Sequence, residues 1–226
     1  MAELRIQVAD YPRAPWVLRG DAFVATLRVR QEVAQRFVPR ELRIVPIAPG
    51  QTLAILAFIR YGAGSTLQYH ELIVAPALVR VGWHVGSWIS HIYVDSELSL
   101  RGGREIWGVP KEPATFDWSG ERVAARTDAM QAVIEPTRAG SLRWRMPILG
   151  PMFGSTAQSW RWAVARGTTL VKRMSGRIDL RGEHLETLGF AAVTSLYRLE
   201  RFHLKLAAPR GAMPRSFNTS NRLDEP

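Results

Sequence analysis

Among the 226 residues there is no cysteine, and only three residues are lysine: Lys111, Lys172 and Lys205. The missing cysteine removes disulfides, thiolate nucleophiles, Cys-ligated zinc and iron–sulfur clusters together, and it accords with a reducing, cytoplasmic setting. The scarce lysine leaves amine chemistry with three addresses, because the other 27 of the 30 basic residues are arginine. Long apolar runs are also missing. The longest, around Leu53–Phe58, is about seven residues against the ~20 that cross a bilayer as a helix, so no membrane span is expected. The N-terminal stretch MAELRIQVAD carries Glu3, Arg5 and Asp10 where an export signal needs an apolar core, so no export is expected either.

What is present is an ordinary globular composition, 46% hydrophobic and 22% charged, in a chain long enough to remove roughly 70% of its unfolded surface from water. The net charge of +10 is unevenly spread. Arg122 to Arg177 holds ten basic residues and two acidic ones, Asp128 and Glu135. Such a footprint suits a nucleic acid or a membrane surface. Here, however, Arg143, Arg145 and Arg161 alternate with apolar residues as on a solvated sheet face, and no nucleic-acid motif accompanies them, so nucleic-acid binding is not expected.

Short β-type runs separated by turn residues dominate the chain. Thr52–Tyr61 and Thr66–Val74 flank Gly62-Ala63-Gly64-Ser65 and read as a hairpin. Further strands are expected at Trp88–Val94, Ala114–Trp118, Val123–Thr127, Gln131–Glu135, Ser141–Met146, Thr168–Met174, Arg177–Leu180 and Arg201–Leu206, with a tight turn over Asp117–Glu121. A helix is expected over Arg30–Phe37, stopped by Val38-Pro39. A second helix is possible over Ser155–Arg166, although Trp160 and Trp162 suit a strand equally. The expected class is α+β and β-rich: a curved antiparallel sheet or barrel with a few helices. One domain spans 1–208, followed by a polar tail at 209–226 that is a candidate for disorder. The tail's Asn218-Thr219-Ser220 matches a glycosylation sequon, which has no meaning without export.

Candidate chemistry centres on Arg101–Trp118 (RGGREIWGVPKEPATFDW). Lys111 stands near Trp107, Val109, Pro113 and Phe116. A lysine held in such company has its ammonium disfavoured by desolvation and becomes a nucleophile toward ketones. The ordinary alternative, a loop lysine in water, stays open on residues alone. The five histidines show no HxxxH or HxH spacing that would suggest a metal site. GxSxG, P-loop and GxGxxG motifs are absent. Gly102-Gly103 reads as a tight backbone turn.

The run Gly103-Arg104-Glu105-Ile106-Trp107-Gly108-Val109-Pro110-Lys111 resembles the GRE…PK signature of the acetoacetate decarboxylase family. Tyr11-Pro12-Arg13-Ala14-Pro15-Trp16, the Arg28 segment, Val38–Leu42 and Ser65 through Tyr69-His70-Glu71 follow the family's order, and the resemblance is specific to about Trp118. It implies a Schiff-base lysine at Lys111, a proton-transferring carboxylate at Glu71 and a substrate-carboxylate arginine at Arg28. It also implies a β-rich fold, a small-molecule oxo acid substrate, a homo-oligomer and no cofactor or metal. Decarboxylation of a β-keto acid is the first expectation. Aldol condensation with dehydration on pyruvate-like substrates, and non-catalytic binding of a small carboxylate or lipophilic ligand, are the alternatives. Two positions depart from the decarboxylase pattern: Glu112 replaces a second lysine, and Leu56 falls where a pocket glutamate is expected. Neighbouring side chains on an extended segment point oppositely, so Glu112 is expected to face away from the amine.

Overall fold

The structure, a computed structural model, describes residues 11–189 and 195–214. The charged N-terminal stretch and the sequon lie outside those residues. Fourteen strands carry the described fold: β1 (Trp16–Arg30), β2 (Arg43–Ile44), β3 (Gln51–Tyr61), β4 (Tyr69–Ala75), β5 (Ala77–Val81), β6 (His84–Trp88), β7 (His91–Val94), β8 (Lys111–Pro113), β9 (Thr115–Ser119), β10 (Arg122–Arg126), β11 (Gln131–Ser155), β12 (Ser159–Arg181), β13 (Ser195–Leu206) and β14 (Arg210–Pro214). The helices are short: α1 (Gln31–Ala34), α2 (Glu97–Gly102), which runs into a π-helical turn over Gly103–Trp107, and α3 (Glu183–Leu188).

One curved sheet runs β2-β5-β6-β11-β12-β13-β1-β3-β4-β7-β8, with β9 and β10 extending from β11 and β14 flanking β12. All pairs are antiparallel except β6 with β11 and β7 with β8. The β-rich class with a few helices is therefore the observed one. No described helix is long and apolar enough to cross a membrane.

Strands β3 and β4 are covered on both faces along most of their length, and this explains the near-continuous apolar run that marks β3 in the sequence. Phe23, Ala25, Leu56, Phe58, Leu72 and Val74 fill one core. Ala22, Tyr61, Tyr69, Ile92 and Trp107 fill a second core on the other side. That second side contains the cavity described below.

The hairpin expected around Gly62–Ser65 is β3–β4, with Ser65 N donating to Gly62 O at 3.1 Å. Several expectations change. The run 88–94 is not one strand, since Trp88 ends β6 and His91 opens β7 with a different neighbour; the runs 168–174 and 177–180 are both part of β12; and the helix expected over 30–37 is α-helical only at Gln31–Ala34. Ser155–Arg166 is not helical: Trp160 is buried edge-on against Trp88, and residues 159–166 belong to β12, held in register by β11. The runs 131–135 and 141–146 are one strand, joined through irregularities between Pro136/Arg138 and Ala139/Arg143. The tail expected from Pro209 begins with β14, which pairs with Ser159–Trp162; residues 215–226 lie outside the described ones. β1, fifteen residues long, was not expected, because Arg19, Asp21, Arg28 and Arg30 break its apolar pattern.

Candidate active site

Lys111 opens β8, whose parallel pairing sets it beside Ile92 of β7. It is 4% exposed, whereas Lys205 is exposed and Lys172 half-buried. The preceding segment makes this burial possible. Gly102 and Gly103 do not form a tight turn; both have helical backbone angles. Their missing Cβ atoms are what matter. A Cβ on Gly103 would stand 2.5 Å from Lys111 Cδ and Cε, and one on Gly102 would stand 2.8 Å from the Trp16 ring. Arg104 Nε donates to Lys111 O at 2.7 Å, and Tyr11 OH donates to Glu105 Oε2 at 2.6 Å. Gly108 then reverses the chain with φ +66°, a left-handed conformation that favours glycine. The GRE…PK run is thus a spacer, an anchor, a tether and a reversal that together deliver one amine inward.

Glu71, 4% exposed, reaches the same point from β4. Lys111 Nζ donates to Glu71 Oε2 at 2.6 Å, to Ser99 Oγ at 2.7 Å and to Tyr69 OH at 3.3 Å. Tyr61 OH donates to Glu71 Oε1 at 2.8 Å and Tyr69 OH to Oε2 at 3.2 Å. Strand geometry dictates much of this: Tyr69 and Glu71 share a face at two-residue spacing, and Tyr61 pairs with Tyr69 across the hairpin.

Burial pushes the Lys111 ammonium below its ordinary value, and the Glu71 charge and hydrogen bond oppose that shift without cancelling it. The Tyr61 and Tyr69 hydroxyls are pushed well above theirs, first by burial and then by the Glu71 charge, so both stay protonated as donors. Glu112 is exposed, on the opposite face from the amine, and its charge acts on Tyr93 and His184.

The amine and carboxylate face a cavity of about 270 Å³. Its β3 wall is Ile55, Ala57 and Ile59, and its β4 wall continues from Glu71 through Ile73 to Ala75. Trp16 and Trp107 flank the amine end, and the partly exposed Ile148, Met152, Leu204 and Leu206 line the rest, which is open to solvent. Leu56 points into the other core. The inward positions of β3 are its neighbours, and they are apolar. Arg28 is exposed on β1 opposite Leu53, six residues along the strand from Ala22, and is not part of the cavity wall. A side chain there lies about 20 Å along the strand from the level of Glu71. The structure brings Lys111 and Glu71 together and leaves Arg28 outside.

Tyr61 and Ser99 were not singled out by the sequence. Tyr61 sits at the end of β3 directly across from Tyr69, a pairing readable once the hairpin is drawn; nothing local marks Ser99. The histidines are engaged elsewhere: His70 pairs with Asp95 at 2.7 Å, and His91 stacks on His184.

A family model for acetoacetate decarboxylase matches residues 5–147, which include Glu71, the 103–111 run and Lys111. The chain belongs to the acetoacetate decarboxylase family. Among curated relatives of this family member, the rice (Oryza sativa subsp. japonica) Protein NEOXANTHIN-DEFICIENT 1 is 37% identical over 48% of this chain and 36% of its own length. Its Arabidopsis thaliana namesake is 28% identical over 48% and 38%. The chain thus covers little more than a third of the curated relatives it matches. Solved structures share the fold along nearly the whole chain. An acetoacetate decarboxylase from Legionella pneumophila superposes with TM-score 0.67 at 17% identity, over 92% of this chain and 90% of that one. The enduracididine biosynthesis enzyme MppR, complexed with pyruvate, superposes with TM-score 0.59 at 16% identity, over 92% and 93%.

Proposed function

We propose that this family member forms a Schiff base through Lys111 with a small oxo acid and releases carbon dioxide from it. One observation carries the reading: a buried amine, its ammonium disfavoured, lies 2.6 Å from a buried carboxylate at the end of an apolar cavity. Glu71 is the acceptor for the proton the ammonium gives up, which leaves an amine with a free lone pair. Ser99 hydroxyl, donor and acceptor in one group, turns to donate to that amine.

The neutral amine adds to the ketone carbon, the carbinolamine loses its oxygen as water with a proton returned from Glu71, and an iminium remains. In a β-keto acid the electrons of the bond to the carboxyl carbon then flow into the iminium, carbon dioxide leaves, and a neutral enamine forms. An iminium and a carboxylate cancel in that step. An apolar wall favours such loss of charge, because it stabilises neither ion as water would. Glu71, re-protonated from water, then protonates the enamine carbon, and water hydrolyses the resulting iminium to the ketone and the free amine, the proton released in that step returning to Glu71. Arg28 has no part in this scheme.

The same enamine can instead attack an aldehyde, and the MppR relatives, one of them complexed with the condensation product of pyruvate and imidazole 4-carboxaldehyde, support that second reading. Borohydride trapping tests the Schiff base. With acetoacetate or pyruvate present, reduction is expected to add one substrate-derived mass at Lys111 and none in Lys111→Met. Absence of an adduct with every oxo acid tried, together with binding of an apolar ligand, favours the ligand-binding alternative. Carbon dioxide release separates decarboxylation from aldol chemistry. Assembly of several copies is part of the same proposal: one edge of β11 is unpaired from 136 to 151 among the described residues, and Leu142, Trp144, Met146 and Leu149 are exposed there. Light scattering is expected to give a multiple of the 25.4 kDa chain mass.

A further inference from the structure

The cavity has one polar end and an otherwise apolar body. Every charged group on its wall is at the Lys111–Glu71 end, and there the Glu71 oxygens are already occupied by Tyr61, Tyr69 and Lys111. No arginine contributes to the wall, and Lys111 is its single lysine. From Glu71 the inward positions of β4 step through Ile73 to Ala75, and those of β3 from Ile59 through Ala57 to Ile55. Two such steps span about 13 Å. The volume of about 270 Å³ corresponds to about nine groups of water size, at about 30 Å³ each.

Resting on the Schiff-base reading, we propose that the cavity selects an oxo compound whose carbonyl meets Lys111 and whose uncharged apolar tail, of about seven to nine heavy atoms in all, lies between β3 and β4. A carboxylate is accepted only beside the carbonyl, where the iminium faces it. At the far end it would be desolvated with no cation to meet it: Ile55, Ala75, Ile148 and Met152 are apolar there, and the Ser87 hydroxyl beside Met152 is the one side-chain donor. Acetoacetate has seven heavy atoms, but its carboxylate stays at the polar end and it carries no apolar tail to lie between β3 and β4, whereas each methylene added to a tail removes more apolar surface from water.

Trapping with sodium borohydride along the series acetone, 2-pentanone, 2-heptanone and 2-undecanone tests this. Ketone and amine lose water to give the imine, and hydride then fixes it as a secondary amine on Lys111. The half-saturating concentration is expected to fall about fourfold per methylene up to 2-heptanone and to rise again by 2-undecanone, which exceeds the cavity. A flat or inverted series from acetone to 2-heptanone overturns the assignment. Ala57→Phe is expected to move the optimum to a shorter ketone and Ile73→Ala to a longer one; an optimum moved by neither variant also overturns it. Calorimetric binding of 2-heptanone to Lys111→Met keeps the two claims apart. If no ketone is trapped on the native protein but 2-heptanone binds more tightly than acetone, the Schiff base fails and the apolar preference stands. If 2-heptanone is neither trapped nor bound, the preference fails as well.

Discussion

At the scale of single residues, the site depends on what is missing as much as on what is present. Two adjacent glycines face different neighbours, and their substitution has different expected consequences. The atoms nearest to a Cβ on Gly103 all belong to the flexible Lys111 side chain, Cδ and Cε at 2.5 Å, so Gly103→Ala is accommodated by moving the amine. Displacement by about 1 Å is enough to cost about 100-fold in a reaction that requires alignment. Gly103→Ala is therefore expected to keep a near-native urea midpoint while adduct formation at Lys111 slows by about that factor. Gly102→Ala instead presses on the rigid Trp16 ring at 2.8 Å, and overpacking of that kind costs about 1–3 kcal/mol. Its urea midpoint is expected to fall. Equal behaviour of the two variants would contradict the spacer role of Gly103.

At the scale of elements, the site is a junction between a hairpin and a short helical segment. The β3–β4 pairing supplies Tyr61, Tyr69 and Glu71 on one face, and α2 with its π-helical turn supplies Ser99 and the anchor Arg104. Gly108 joins that turn to β8. Its φ is +66°, and a Cβ there would lie 2.6 Å from the backbone oxygen of Ser155, whose N–H donates to Gly108 O at 2.8 Å. Neither the backbone angle nor a backbone neighbour yields easily. Gly108→Ala is expected to destabilise the fold by about 1–3 kcal/mol or more, seen as a lower urea midpoint with unchanged slope. A neutral result would mean that the β8 entry is freer than its contacts imply. The basic stretch belongs to this scale too. Arg138, Arg143, Arg145, Arg166, Arg173 and Arg177 lie exposed on β11 and β12, but Leu142, Trp144 and Met146 are exposed between them, so this part of β11 is open on both faces, and Arg161 instead donates to Ile106 O at 2.7 Å.

At the scale of the whole molecule, the buried site ties stability to pH. Lys111 has a lowered value in the fold, so the native state holds fewer protons than the unfolded chain between that value and the ordinary 10.5. Across that window stability rises with pH, and below it the burial penalty of the charged amine is fully present. Tyr61 and Tyr69 are raised above 10.0, so their contribution is complete below pH 10 and is lost as the pH climbs past it. Urea midpoints of the native protein are therefore expected to gain on those of Lys111→Met/Glu71→Gln as pH rises from neutrality toward 10. Above pH 10, the native protein and the double variant are both expected to fall, since both retain the tyrosines. A constant difference between them below pH 10 would mean that the amine is not desolvated.

Residue order alone determined the family, the β-rich class and the β3–β4 hairpin, and it singled out Lys111 as a candidate, because period-two alternation, glycine turns and a dense local motif are all short-range information. Glu71 was legible for the same reason, through Tyr-x-Glu on one strand face. Tertiary structure decided the rest. Whether Ser155–Arg166 coils or extends depends on β11 lying beside it, since two tryptophans two residues apart suit a strand only when a core awaits them. The resemblance implies an arginine at the site in Arg28, and only the fold shows that the extended β1 carries it six residues beyond the level of Glu71. Ser99 meets the amine only because α2 packs beside β8, and a low-dielectric surround for Lys111 exists only once two glycines, two tryptophans and three strands have closed around it. A desolvated charge is a property of the packed fold, and no local pattern of residues contains it.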